Sequence, residues 1–290
     1  MSPDSPCNDT PYCLAVVPWP MPTASNGSVS LYYETDGGSV DHPSTSNRPQ
    51  ADGGETVVCL GDVGYGAWQW GWQHAGLTGP FETLVTDLRG AGRSDAPPGP
   101  YAVDDFVADV QAVLDDHGER RVHVVGAGLG GMVALELARI STRPRSLALL
   151  GTAPVGTDLT LDPLFGAPDD PDALASSLAA ALSRDFLDAH PDVVEQVVEW
   201  RAAEDATREA WDAQAAAVEA FDISDRLYEI DTPTLVFHGR DDAVWPVGYG
   251  RRLAENLPRG EFVGLDGGHL IGIERSREVN DRLFGHVESA

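Results

Sequence analysis

Two side chains carry the chemistry that can be read from this chain. Asp242 closes the run His238-Gly-Arg-Asp-Asp242, and His269 closes Asp266-Gly-Gly-His269. A histidine oriented by a carboxylate is a general base near neutral pH, and it can activate water directly. A third stretch, Gly126-Ala-Gly-Leu-Gly-Gly131, follows a β-branched run and precedes an apolar stripe at helical spacing. That pattern is a strand, a very tight turn and a helix. Such a turn can cradle a phosphate, and Gly126, Gly128 and Gly131 satisfy G-x-G-x-x-G literally. It can also lift a nucleophile above the sheet from its middle position, which here is Gly128. Glycine supplies no oxygen or sulfur, so a covalent intermediate cannot form on that residue. The dinucleotide reading needs a carboxylate at the end of the next strand to hold a ribose. That strand runs into Leu150-Gly-Thr-Ala-Pro154, which has none.

The remaining pattern says what must position these groups. Short apolar or alternating runs predict strands at 29–35, 56–60, 81–86, 146–150, 234–237 and 262–265. Helical periodicity predicts helices at 68–77, 103–117 and 274–287. Alternation of the two implies an α/β fold with a mostly parallel, doubly wound sheet. Residues 155–232 are far more than one crossover helix requires, and they hold Ala- and acid-rich helical segments at 172–184, 191–203 and 206–221. They are expected to form an inserted helical cap over the strand C-termini, where open sheets bind ligands. The core then comprises 29–154 and 233–290. Residues 1–28, rich in Pro, Ser, Asp and Asn, are expected to be an N-terminal arm or edge extension.

Charge narrows the partners. There are 46 acidic residues against 19 basic ones, a formal net charge of −27, and every basic residue is Arg. Acid spread along a whole chain is a solvated, self-repelling surface, and it resembles the proteins of salt-accumulating halophiles, where salt screens the repulsion. Nucleic acid and anionic membrane are excluded as partners by the lack of a basic patch, so a small-molecule substrate or ligand is expected. Three cysteines at unrelated spacings, Cys7, Cys13 and Cys59, suggest neither a disulfide framework nor a zinc site. The histidines do not cluster along the chain, so no metal and no cofactor is expected. With no signal peptide and no apolar run near 20 residues, the expected location is the cytoplasm.

Taken in order, these landmarks form a recognisable series: a Gly-rich turn at 61–66, Asp87-Leu-Arg-Gly-Ala-Gly-Arg-Ser94, the turn at 126–131, the insertion, Pro233-Thr-Leu-Val236 leading to Gly239 and Asp242, and finally Gly-Gly-His269. The series resembles the α/β-hydrolase superfamily, in the branch of capped esterases, lactonases and haloperoxidase-like or dehalogenase-like enzymes. The resemblance spans residues 29–288 and implies that Asp242 is the family acid and His269 the catalytic histidine. It places Gly128 at the nucleophile position, with the side chain lost, so serine-esterase and aspartate-dehalogenase mechanisms are excluded as normally drawn. It implies oxyanion donors at the backbone N–H groups of Leu129 and Val63. Asp62 stands where that loop normally opens, and its carboxylate, if turned inward, would oppose charge on a substrate oxygen. Asp62, Tyr65 and Trp245 are the candidate pocket residues.

Three functional readings follow. One is hydrolysis of a small ester, lactone or carbamate-type substrate by water activated on His269 and oriented by Asp242. Some members of the superfamily, the aminoacrylate or carbamate hydrolases of pyrimidine breakdown among them, lack the elbow Ser while keeping the His. A second is a catalytically inactive homologue that binds a small ligand or a protein. A third is a lyase or cofactor-free oxygenase using the same pair as a base. Replacement nucleophiles could be sought in Ser94, Thr152 or Cys59. His123 and His238 read as packed core residues, and the alternation Trp68, Trp70, Trp72 as half core and half cavity wall.

Overall fold

Val122–Ala127 is buried at every position: Val, Gly and Ala carry no polar side-chain atom, and the imidazole of His123 has Nδ1 on Ser146 Oγ at 2.8 Å. A strand buried on both faces belongs in the middle of a parallel sheet with helices on each side. The computed structural model, which describes residues 22–37 and 55–290, places it there. The strands are β1 (Thr23–Asn26), β2 (Val29–Asp36), β3 (Thr56–Leu60), β4 (Glu82–Thr86), β5 (Val122–Ala127), β6 (Pro144–Leu150), β7 (Thr234–Gly239) and β8 (Gly260–Leu265). Their order across the sheet is β1-β2-β4-β3-β5-β6-β7-β8. The β1–β2 and β2–β4 pairs are antiparallel and all others parallel.

The helices are α1 (Gly71–Leu77), α2 (Val103–His117), α3 (Leu129–Ile140), α4 (Pro171–Ala181), α5 (Arg184–Ala189), α6 (Pro191–Glu204), α7 (Arg208–Ala220), α8 (Val247–Asn256), α9 (Ile271–Glu274) and α10 (Ser276–Glu288). The two faces of the sheet are covered by separate apolar clusters. One gathers Phe106, Val110 and Leu114 of α2 with Met132 and Leu135 of α3, and the other gathers Leu77 of α1 with Val279 and Leu283 of α10.

The stretch 1–28, expected as an arm or edge extension, contains an edge strand: Thr23–Asn26 pairs with β2, and Asn26 Nδ2 donates to Asp109 of α2 at 2.9 Å. Residues 1–21 lie outside the described residues. Two expectations need correction. The segment 68–77 begins as a 3₁₀ turn, Ala67–Trp70, before becoming α1. The helix expected at 172–184 ends at Ala181, and a separate one, α5, begins at Arg184 after an N-cap on the Ser183 hydroxyl.

The helices between β6 and β7 pack over the loops at the strand C-termini. Gln214 accepts from the Gly64 N–H at 2.6 Å and donates to the Arg89 carbonyl at 2.7 Å. Glu204 accepts from the Trp68 N–H at 2.9 Å. Leu270 N–H donates to the Ala181 carbonyl at 2.9 Å. Beneath them Arg201 is buried, with Nε on Asp205 at 2.7 Å and Nη1 on Ser177 Oγ at 2.6 Å and the Leu174 carbonyl at 3.1 Å. Its guanidinium lies over the Tyr65 ring, 4.9 Å from the centroid.

Candidate active site

Each site residue lies just past a strand's C-terminal end. Gly128 follows β5 with φ +46° and ψ −112°, a left-handed conformation that side chains resist. It makes the chain reverse at once into α3, and the turn is held by the Thr152 hydroxyl donating to the Gly128 carbonyl at 2.7 Å. Gly130 lies against the backbone of Leu60 and Gly61, its N–H donating to the Gly61 carbonyl at 3.0 Å, with no room for a Cβ. The glycines therefore serve close backbone packing. With the N–H groups of Leu129, Gly130, Gly131 and Met132 all engaged internally, the turn offers no cradle for a phosphate.

Asp242 and His269 meet because β7 and β8 are neighbours, and their pairing continues past the strands. Arg240 N–H donates to the Leu265 carbonyl at 2.8 Å and Asp241 N–H to the Gly267 carbonyl at 3.0 Å. The Asp242 carboxylate then faces the ring, with Oδ2 2.8 Å from His269 Nδ1. Its other oxygen accepts from the backbone N–H groups of Val244 and Trp245 at 3.0 and 2.8 Å. Trp245 lies over the imidazole, centroids 6.0 Å apart and planes within 22°.

The other nitrogen of His269 meets Asp62. The carboxylate faces into the site, fully buried, with Oδ2 2.6 Å from His269 Nε2. Oδ1 accepts from the N–H groups of Val63 at 2.7 Å and Leu129 at 2.8 Å, the two donors expected to hold a substrate oxygen. The Asp62 N–H in turn donates to Gln69 at 2.9 Å. A Cβ built on Gly128 would overlap this carboxylate, so Asp62 fills the space of the missing elbow side chain.

His269 is thus clasped between two carboxylates, each with one oxygen on two backbone N–H groups and the other on the ring. Burial alone would lower the imidazole pKa. The opposing charge and hydrogen bond of Asp242, with those of Asp62, outweigh it and raise the pKa to about 10. Burial likewise disfavours the Asp242 carboxylate, yet its neighbouring histidines hold its pKa below the ordinary carboxylate range. The clasp thus favours the protonated ring, which can donate from Nε2, and it places the Asp62 carboxylate where an elbow side chain would stand.

The other candidates fall elsewhere. Tyr65 is buried against Trp68 and beneath Arg201, supporting the α4–α7 region. Ser94 Oγ donates to the Asp87 carbonyl at 2.7 Å and accepts from the Tyr32 N–H at 2.9 Å. The Cys59 thiol, enclosed in β3, is pushed up to about 12 by burial. His123 is packed as expected, 2.8 Å from Ser146 Oγ. His238 is more than a core residue: Nε2 lies 2.5 Å from the Trp245 carbonyl and 3.4 Å from Asp242 Oδ2, backing the acid. Trp68 packs in the core, whereas Trp70 lines a cavity of about 10 Å³ with Gln69, Gln73, Leu150 and His269. That is room for about one water. Gln69 was missed by sequence reasoning, and His238 was read only as a packed core residue, without its contact to Asp242. No helix among the described residues is long and apolar enough to cross a membrane.

A chain with this site has relatives. It is 30% identical over 263 residues to the "Putative carbamate hydrolase RutD" of Caulobacter segnis, covering 82% of this chain and 93% of that one. The enol-lactonase of Burkholderia xenovorans LB400 superposes with a TM-score of 0.80 at 25% identity, covering 92% of this chain and all of the other. Est816, an N-acyl homoserine lactone degrading enzyme, gives a TM-score of 0.75 at 27% identity over 91% of this chain and 99% of its own. A family model for the alpha/beta hydrolase fold matches residues 64–276. The chain belongs to the α/β-hydrolase fold family.

Proposed function

We propose that this protein hydrolyses a small ester, lactone or carbamate-type substrate, with His269 moving the proton to and from water and Asp242 orienting the ring. The observation that carries this reading is the 2.8 Å contact between Asp242 Oδ2 and His269 Nδ1, with the second carboxylate oxygen fixed by two backbone donors. An acid held this way has one orientation, which fixes the ring and turns Nε2 toward Asp62 and the elbow. The names of the relatives, "Putative carbamate hydrolase", an enol-lactonase and an N-acyl homoserine lactone degrading enzyme, support this substrate class.

The test is release of p-nitrophenol from p-nitrophenyl acetate in multimolar KCl by wild type and by folded His269→Ala. Wild type is expected to turn over, and the variant to lose at least about 10²-fold in kcat/KM, the contribution of a positioned acid–base group. Equal rates for the two would sink the reading. A second reading, an inactive member that only binds a ligand, is favoured by the Asp62 carboxylate on both oxyanion donors. On that reading His269→Ala alters ligand affinity and wild type is silent.

A further inference from the structure

The elbow has no side chain, and a carboxylate fills its place. We infer that Asp62, supplied from the loop after β3, is the covalent nucleophile of this site. The inference rests on the hydrolase reading and names its mechanism.

The placement of the two Asp62 oxygens carries it. Oxyanion donors stabilise charge on the oxygen of the carbon under attack. Here both N–H groups, of Val63 and Leu129, lie on Oδ1 of Asp62, at 2.7 and 2.8 Å. The carbon whose tetrahedral intermediate they would stabilise is therefore Cγ of Asp62. The carboxylate lies in the space a Gly128 side chain would take, with Oδ1 nearest the absent Cβ, and Oδ2 touches His269 Nε2 at 2.6 Å. A mere structural salt bridge needs neither feature. A carboxylate at the elbow with one oxygen on the histidine is placed to attack through that oxygen, and with the other oxygen on two donors its carbon is placed to be attacked afterwards.

The steps balance for an ester. A lone pair of Asp62 Oδ2 attacks the substrate acyl carbon, the bond to the leaving oxygen breaks, and that oxygen takes the proton from His269 Nε2. The product is a mixed anhydride on Asp62, a neutral His269 and a free alcohol. Water then adds to Asp62 Cγ and gives a proton to His269, while charge gathers on Oδ1 against Val63 and Leu129. The Cγ–Oδ2 bond breaks, the acid leaves as a carboxylate carrying Oδ2, and Asp62 keeps the water oxygen and releases the second proton to solvent. An alkyl electrophile would give an ordinary ester, cleared by the same second step.

The isotope path distinguishes this from direct attack by water. Wild-type enzyme in excess is mixed with p-nitrophenyl acetate in H₂¹⁸O for one turnover, then digested. Heavy oxygen on the peptide containing Asp62, with unlabelled acetate, is the expected result. Label in first-turnover acetate with Asp62 unlabelled would overturn the inference and leave the hydrolase reading standing. Asp62→Asn, nearly isosteric, is expected to lose at least about 10³-fold in kcat, as removal of a member of a catalytic unit does. Should wild type not cleave the ester, the hydrolase reading fails. Asp62 is then tested with 4-nitrobenzyl bromide on His269→Gln, in which an ester cannot be cleared. An adduct on Asp62, absent in Asp62→Asn, upholds the nucleophile, and its absence overturns it.

Discussion

At the scale of residues, the site is governed by one geometric exchange. Gly128 gives up a side chain, and Asp62 fills the space. The two positions must therefore be coupled energetically. Gly128→Ser should be destabilising by roughly 1–3 kcal/mol from its left-handed backbone, with overlap against Asp62 adding to it. The double variant with Asp62→Ala should be more stable than Gly128→Ser alone, because the overlap is then gone. Chemical denaturation of the four proteins of the cycle checks this, and strict additivity would refute the coupling. The titration of the clasp gives a second expectation. With the His269 pKa raised to about 10 from 6.5, its share of stability is complete below about pH 6.5 and lost as pH rises through about 10. Asp242, with its pKa lowered from 3.8, acts in the opposite direction: its share is present above about pH 4 and lost as pH falls below that. Denaturant midpoints should therefore fall from pH 6.5 to 10 in wild type and fall less in His269→Gln.

At the scale of elements, the strands and the Asp242–His269 contact were legible because their causes are local. Buried runs such as Thr56–Leu60 announce parallel strands, and Val103–His117 ends as its periodicity and Gly118 require. Asp242 and His269 were legible because each is marked by glycines at fixed offsets, and neighbouring strands did the rest. The orientation of Asp62 was not legible. It depends on Leu129 N–H and His269 Nε2, which are distant in sequence, and on the emptiness of Gly128. The break between α4 and α5 was missed because Leu182-Ser-Arg184 carries no Gly or Pro, and only the Ser183 cap ends one helix and starts the next. The helices over the site depend on Arg201, whose guanidinium joins α4, α6 and the Leu164 carbonyl. Arg201→Ala would leave the Asp205 carboxylate buried and unpaired, so a loss of about 3–5 kcal/mol is expected by denaturant titration. A loss under about 1 kcal/mol would mean the ion pair does not hold this layer together.

At the scale of the whole molecule, the charge of −27 dominates. Screening lengths shrink from about 10 Å at 0.1 M salt to about 3 Å at 1 M, so most surface repulsion is relieved over that range. The melting temperature should rise by several degrees between 0.2 M and 2 M KCl, and a flat or falling curve would remove the basis for a salt-adapted surface. The acid is not uniformly idle: Asp62, Asp87, Asp109, Glu136 and Asp242 are buried with hydrogen-bond partners.

The residues on either side of His269 lead to one last consequence. Leu270 is bonded directly to Ala181, and Gly268 N–H donates at 2.7 Å to Glu274, whose carboxylate also takes the Ser183 N–H at 2.9 Å. Both anchors of the histidine loop thus end in the short link between α4 and α5. The seat of the histidine and the junction of two outer helices are therefore one mechanical unit, and a change of sequence in Leu182 or Ser183 would be felt at the imidazole although neither residue touches it.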